Sequence, residues 1–159
     1  MSDKFSQFIR ERQYLQNVSA ATVEWYKHSL KWLRTDNPSE QELKDAVMRM
    51  REKGLKASGC NSAIRAINAY LKWSGCPHRV SYLKEEQRVL PTFTLSDIKR
   101  LLSYRPKPSN FYQRRLHLLI LVLLDTGCRI DEVLSLRASD CDLDNLLFTV
   151  TGKGRKQRF

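Results

Sequence analysis

The sequence predicts a mainly α-helical chain: a four-helix N-terminal domain followed by an incomplete α+β domain that ends in a β-hairpin. Three observations predict it. Apolar side chains recur every three to four residues through most of the chain, the period of helices with one buried face. Start signals (Ser, Asn or Thr before an apolar stripe) and stop signals (Gly after it) divide that pattern into separate helices. Late in the sequence, Leu146-Leu147-Phe148-Thr149-Val150 is a β-prone run, and Gly152-Lys153-Gly154 follows it as a turn.

The first helix carries Phe5, Phe8, Ile9 and Leu15 at helical spacing. Ser19 can cap the second, where Val23, Tyr26, Leu30 and Leu33 make one apolar stripe. A third helix is expected to start at Asn37-Pro38-Ser39-Glu40. There Asn37 is the favoured cap, Pro38 suits the first helical position and Glu40 can reach back as the capping-box partner. Leu43, Val47 and Met50 form its apolar face, and Gly54 ends it. A fourth helix is expected from about Ser58 to Ser74, with Ile64, Ile67 and Leu71 inward and Gly75 as its stop. Helical periodicity then fades between Cys76 and Leu90, and Pro77 and Pro91 bracket a charged stretch. We therefore expect domains at 1–76 and 92–159 joined by a linker at 77–91.

In the second domain Thr94 can cap a short helix bearing Leu95, Ile98, Leu101 and Leu102, which Arg105-Pro106-Lys107-Pro108 breaks. A helix from about Asn110 to Thr126 follows. It is apolar on nearly every side from Leu116 to Leu124, as expected of a helix in the middle of a core. Gly127 terminates it, and a further helix is expected over Arg129 to Leu136. The hairpin strand then returns over 155–159. One hairpin is marginal without further partners, so this domain reads as unfinished. Exposed apolar surface around Leu116 to Leu124 and a tendency to aggregate are expected.

A chain of 159 residues with 42% apolar content can build one medium domain or two small ones with real cores. Its 28 Lys and Arg against 17 Asp and Glu leave a net charge of +11. That surplus points to a polyanionic partner, although a merely basic protein would show it too. Cys60, Cys76, Cys128 and Cys141 form no C-x-x-C pair, and His28, His78 and His117 lie far from them in sequence. Neither a zinc site nor a disulfide framework is predicted, and no metal is expected. The start, Met1-Ser2-Asp3-Lys4-Phe5, has no apolar signal region, and the apolar run Leu118 to Leu124 is too short to cross a bilayer. No membrane partner is expected, and the location is expected to be cytoplasmic, at the nucleoid in a prokaryote.

Two motifs carry chemistry. In Thr126-Gly127-Cys128-Arg129-Ile130-Asp131-Glu132 an arginine stands just beyond a helix stop. There it can aim its planar fork at a phosphate beside the free N–H groups of the next helix. Glu132, three residues on, can hold the guanidinium in place. In Thr151-Gly152-Lys153-Gly154-Arg155-Lys156-Gln157-Arg158 a lysine occupies a glycine-flanked tip among further cations, placed to lean into a phosphodiester. Taken singly, each has a plainer reading: a surface ion pair for Arg129, a solvated basic tail for the second. G-K-G also lacks the rest of a phosphate-binding P-loop.

In series, these motifs resemble the tyrosine recombinase (phage integrase) family. The four-helix half, with Ser19-Ala20-Ala21-Thr22-Val23-Glu24-Trp25-Tyr26, is similar to that family's core-binding domain. Leu90 to Ile98 is similar to the entry into its catalytic domain, and Leu123 to Val133 to the block carrying its first catalytic arginine. The Gly152-Lys153-Gly154 hairpin follows at the family's spacing. The resemblance implies attack of a tyrosine on a DNA phosphodiester, with a covalent phosphotyrosyl intermediate and no metal or nucleotide cofactor. It implies that Arg129 balances charge on the phosphoryl oxygens, Glu132 orients it, and Lys153 is general acid on the departing oxygen. The family's His-x-x-Arg box and nucleophilic tyrosine have no counterpart here; Tyr14, Tyr26, Tyr70, Tyr82, Tyr104 and Tyr112 all precede Arg129. We therefore expect the chain, truncated within the catalytic domain, not to cleave DNA alone.

The expected activity is binding of double-stranded DNA in recombination or integration, with self-association on DNA conceivable. The resemblance and polar character make Thr22, Lys27, Lys56, Asn61 and Arg65 candidate DNA contacts in the first domain, with Arg155 and Lys156 in the second. Asn61 and Arg65, four apart, share a helical face from which base edges can be read. Each is equally explained as the solvated side of an amphipathic helix. Three alternatives stay open: a helical DNA-binding regulator without a recombination role, a fragment of an active site-specific recombinase completed by a longer product or second chain, and a protein-interaction remnant.

Overall fold

Four amphipathic helices open the chain: α1 (Asp3–Leu15), α2 (Ala20–Leu30), α3 (Glu40–Glu52) and α4 (Ala57–Trp73). The computed structural model describes residues 3–86, 89–152 and 157–158. It divides into two units, Met1–Arg88 and Val89–Phe159.

In the first unit α4 is the centre. It packs against α1, α2 and α3 and buries Cys60, Ala63, Ile64, Ala66, Ile67, Tyr70 and Leu71. Phe5, Phe8, Val23, Tyr26, Leu30, Leu43 and Met50 meet that face from the other helices. Tyr70 is wholly buried, and the rings of Phe5 and Phe8 stand edge-on to it at 4.8 and 5.5 Å, a favoured aromatic arrangement. Its hydroxyl donates to the Asp36 carbonyl at 2.8 Å. Burial, with a smaller contribution from Asp36, pushes this phenol up to about 12. Two indoles tie the bundle: Trp25 donates to Ser62 at 3.1 Å and Trp73 to the Glu11 carboxylate at 2.7 Å.

Ser19 caps α2 as expected, accepting from the Thr22 amide. The start of α3 differs from expectation. Ser39 rather than Asn37 is the cap, and Glu42 rather than Glu40 closes the box, its carboxylate accepting the Ser39 N–H at 2.8 Å. The sequence offers two overlapping cap-x-x-Glu patterns. The later one, which the structure forms, places Pro38 and Leu43, both buried, at the positions before the cap and four residues into the helix that favour a hydrophobic staple.

Residues 77–86 of the stretch expected as a linker lie along α4 and are held by two asparagines. Asn68 donates to the Val80 carbonyl at 2.8 Å and accepts the Val80 N–H at 2.9 Å. Asn61 does the same with Leu83, both at 2.8 Å, and also donates to the Glu85 carboxylate at 2.6 Å. The spacings match. Seven residues of helix rise about 10.5 Å, and three residues of extended chain cover about 10 Å. Each primary amide thus pairs with a backbone as a neighbouring strand would.

The second unit contains α5 (Leu95–Ser103), α6 (Phe111–Thr126), α7 (Ile130–Leu134) and a single 3-10 turn at Ala138–Asp140. Thr94 and Asp97 form the capping box of α5. Two small antiparallel ladders follow. β1 (Cys141–Asp142) pairs with β2 (Leu147–Phe148), and β3 (Val150–Thr151) with β4 (Gln157–Arg158) in the register Val150 to Arg158. The second ladder is the expected hairpin. The first was not expected: Leu147 and Phe148 turn back on Cys141 and Asp142 through a bend in which the Asp142 carboxylate accepts the Asp144 and Asn145 amides.

The expected buried helix is a correction. Among the described residues of this unit only Glu132 and Val150 are buried. Leu116, Leu118 and Leu124 are 57%, 62% and 41% exposed. A helix apolar on every side needs neighbours all round; the described neighbours here are short, α7 being five residues long. The expected exposed apolar surface around Leu116 to Leu124 is present.

Candidate nucleic-acid interface

The Arg129 corner is assembled from local hydrogen bonds. α6 ends at Gly127, whose φ of 63° and ψ of 17° lie in the left-handed region that glycine enters without a Cβ clash. The Gly127 N–H reaches the Leu123 carbonyl at 3.1 Å. The Thr126 hydroxyl donates to the Val122 carbonyl at 2.6 Å and accepts the Cys128 N–H at 3.2 Å. Arg129 is then extended (φ −74°, ψ 150°) as the N-cap of α7. Arginine has no acceptor and cannot cap the helix itself. Glu132 closes the cap from within the helix, accepting the Arg129 N–H at 2.8 Å on one oxygen. Its other oxygen meets Arg129 Nη1 at 3.2 Å.

The two side chains differ sharply in setting. Glu132 is 5% exposed and the Arg129 side chain 73%. A buried carboxylate therefore holds an outward-facing guanidinium by one arm, leaving the rest of its planar fork toward solvent. Such a fork matches two oxygens of a phosphate. α7 is too short to serve as an anion site of its own, so the free N–H groups expected beside Arg129 contribute little. β3, the strand just before Gly152, packs on α7. Lys153, Arg155 and Lys156 themselves lie outside the described residues.

In the first unit the candidates fall on two helices that pack together, α2 and α4. Thr22 is half-buried, its hydroxyl 2.9 Å from that of Ser19. Lys27 is paired with Glu24 at 2.7 Å, and that pairing lowers the Glu24 carboxyl below its usual range. Lys56 is exposed at the start of α4, in a cleft of about 500 Å³ with Arg51, Ser58, Lys84, Glu85 and Glu86. Arg65 is exposed one turn beyond Asn61. Asn61 itself is a correction. It is 4% exposed, and its amide is taken up by Leu83 and Glu85. Its polar groups are committed to Leu83 and Glu85, which leaves little of the side chain for a base edge, although it lines a shallow cavity of about 560 Å³ together with Arg65.

Sequence reading gave no role to Arg51, Lys84 or Thr126. Arg51 comes beside Lys56 through the turn between α3 and α4, where it donates to the Leu55 carbonyl at 2.8 Å, and Lys84 only through the fold of residues 77–86 along α4. Thr126 stood inside a quoted motif, and a hydroxyl two residues before an amide in a turn is the signal that could have marked it. Among the described residues no group of three or more His, Cys, Asp and Glu could hold a metal ion. No described helix is long and apolar enough to cross a membrane.

A family model of the phage integrase family matches residues 91–159. The tyrosine recombinase XerA of Thermococcus kodakarensis is 34% identical over 113 residues, covering 69% of this chain and 39% of that protein. XerA of Pyrococcus furiosus is 28% identical over 150 residues, covering 91% of this chain and 51% of the relative. The tyrosine recombinase XerC of Bacillus pumilus is 27% identical over 170 residues, covering 96% and 55%. Among solved structures, the Tn1549 transposon integrase in complex with a circular-intermediate DNA superposes with a TM-score of 0.68 at 19% identity, covering 97% of this chain and 56% of that one. The chain belongs to the tyrosine recombinase (phage integrase) family. It spans about half the length of these relatives.

Proposed function

We propose that this chain binds double-stranded DNA and serves DNA recombination or integration. The observation that carries the reading is the Arg129 guanidinium, outward-facing and held by buried Glu132, within the segment matched to the family. In this reading Arg129 bonds the non-bridging oxygens of one phosphodiester, where a guanidinium best offsets developing negative charge. Glu132 orients it. Lys153 stands by the bridging oxygen as general acid, and Arg155 and Lys156 hold neighbouring phosphates. In the first unit Lys56 and Arg65, with Arg51 and Lys84, meet the DNA backbone, and Thr22 and Lys27 flank them on α2. No metal or nucleotide cofactor enters this chemistry. No tyrosine of the sequence follows Arg129, so the 159 residues alone bind without cutting, and any self-association occurs on DNA.

The test is the salt dependence of binding to a short random-sequence DNA duplex, read by fluorescence anisotropy. Affinity is expected to fall steeply and linearly on a log–log plot, each phosphate contact adding about 0.9 to the slope. Arg129→Ala and Lys153→Ala should each reduce that slope by about one. A flat salt dependence would remove DNA from the proposal. A covalent protein–DNA adduct on a suicide duplex, formed by this chain alone, would overturn the statement that it binds without cutting.

A further inference from the structure

We infer that Thr126 is a positioning residue for Arg129, acting through its hydroxyl; this rests on the reading that Arg129 meets a DNA phosphate. A threonine hydroxyl has one proton and two lone pairs. Here the proton is committed, since Oγ1 donates to the Val122 carbonyl one turn back at 2.6 Å. That fixes the rotor and turns a lone pair toward the Cys128 N–H, 3.2 Å away. Cys128 is the residue between the left-handed Gly127 and Arg129. Its amide plane sets the direction in which Arg129 leaves the turn.

The Arg129 backbone is thus fixed from both sides. Upstream, Thr126 holds the preceding amide to the last turn of α6. Downstream, the Glu132 carboxylate takes the Arg129 N–H at 2.8 Å. The side chain adds a single longer contact, 3.2 Å from Nη1 to Glu132. A guanidinium 73% exposed with one anchored arm owes its aim mostly to its backbone. Without the hydroxyl, Gly127 and Cys128 recover freedom of rotation, and the guanidinium spreads over more directions than a two-oxygen match with a phosphate tolerates.

The experiment compares Thr126→Val, which removes the hydroxyl at nearly constant shape, with Thr126→Ser, which keeps it. Each is made in the full chain and in the Arg129→Ala background. Binding to the same random-sequence duplex is measured across a salt series, with a thermal midpoint for every variant. We expect Thr126→Val to weaken binding about two- to tenfold, the scale of one lost hydrogen bond, and to lower the salt slope toward that of Arg129→Ala. Thr126→Ser should restore both, and Thr126→Val should add nothing once Arg129 is alanine. If Arg129→Ala itself leaves affinity and slope unchanged, the phosphate reading fails and takes this inference with it. If Arg129→Ala lowers the slope while Thr126→Val does not, or if the two losses multiply, the positioning role alone is refuted. Should the valine variant unfold, exchange of the Cys128 amide decides: equal protection in wild type and Thr126→Ser supports the role, and loss in the serine variant overturns it.

Discussion

Replacing Asn68 by alanine should free the chain at Val80 from α4 without unfolding the bundle. The side chain makes two bonds to one residue, 2.8 and 2.9 Å to the carbonyl and N–H of Val80. At about 0.5–1.5 kcal/mol net for each, the pair contributes about 1–3 kcal/mol to holding this segment down. That is roughly five- to hundredfold in the opening equilibrium. Most of it should not appear in global stability, because Val80 is only partly buried at the edge of the core and its amide can turn to water when freed. Hydrogen exchange read residue by residue separates the two outcomes. In Asn68→Ala the Val80 amide should lose protection by about that factor, while the Ile67 amide in the middle of α4 keeps its own.

Asn61→Ala should do the same at Leu83, with a larger effect, since this asparagine makes a third bond to Glu85 and is itself buried. In the double variant trypsin should gain cuts after Arg79 and Lys84. If Val80 keeps its protection in Asn68→Ala, the segment is held by something other than the asparagine pair. If Val80 and Ile67 are lost together, it is part of the bundle's cooperative unit and no separate strap exists. Either result refutes the reasoning.

Tyr70 gives a pH prediction. Its folded value, about 12, is raised above the ordinary 10 because burial disfavours the phenolate. The native state therefore keeps a proton that the unfolded chain gives up. Stability is full below pH 10 and falls as pH rises from 10 toward 12, by on the order of 2 kcal/mol in all; in Tyr70→Phe that alkaline step in chemical-denaturation curves should vanish. At the Arg129 corner, Arg129→Ala should change the thermal midpoint little, since the exposed arm of an ion pair contributes about 0–1 kcal/mol. Glu132→Ala should cost more, about 1–2 kcal/mol, because the Arg129 N–H loses its acceptor inside the unit; equal midpoints for the two variants would contradict this. Ser39→Ala should destabilise the bundle by about 1 kcal/mol, whereas Asn37→Ala should leave it unchanged; the reverse order would restore the earlier start for α3.

The helices were legible in the sequence because their signals are short-range. Ser19 and Thr94 announce the starts of α2 and α5, and Ile64, Ile67 and Leu71 mark the buried face of α4. Where the local signals are doubled, at Asn37 and Ser39, sequence alone does not rank one above the other. Long-range pairings were not legible at all. Asn61 stands four residues from Arg65 on a helix, so it reads as part of a polar face. Its partners, Leu83 and Glu85, are 22 and 24 residues away, and no periodicity connects them. Lys84 reached the Lys56 cleft by the same route.

The two halves of the second unit show why its site could be read while its packing could not. Burial of α6 depends on what surrounds it, which the pattern Leu116 to Leu124 does not contain. The backbone of the Arg129 corner is shaped mainly by nearer partners, although β3 packs on α7 from further along the chain. The hydrogen bonds described along its backbone each span at most four residues: Thr126 to Val122, Gly127 to Leu123, Cys128 to Thr126, and Arg129 to Glu132. A corner closed by such local bonds takes its backbone course from the end of its own helix and little from what covers the sides of α6. The aim of the guanidinium and the stability of the unit are therefore separable properties. Substitutions on the exposed face of α6, such as Leu118→Glu, should change solubility and leave the salt slope assigned to Arg129 where it was.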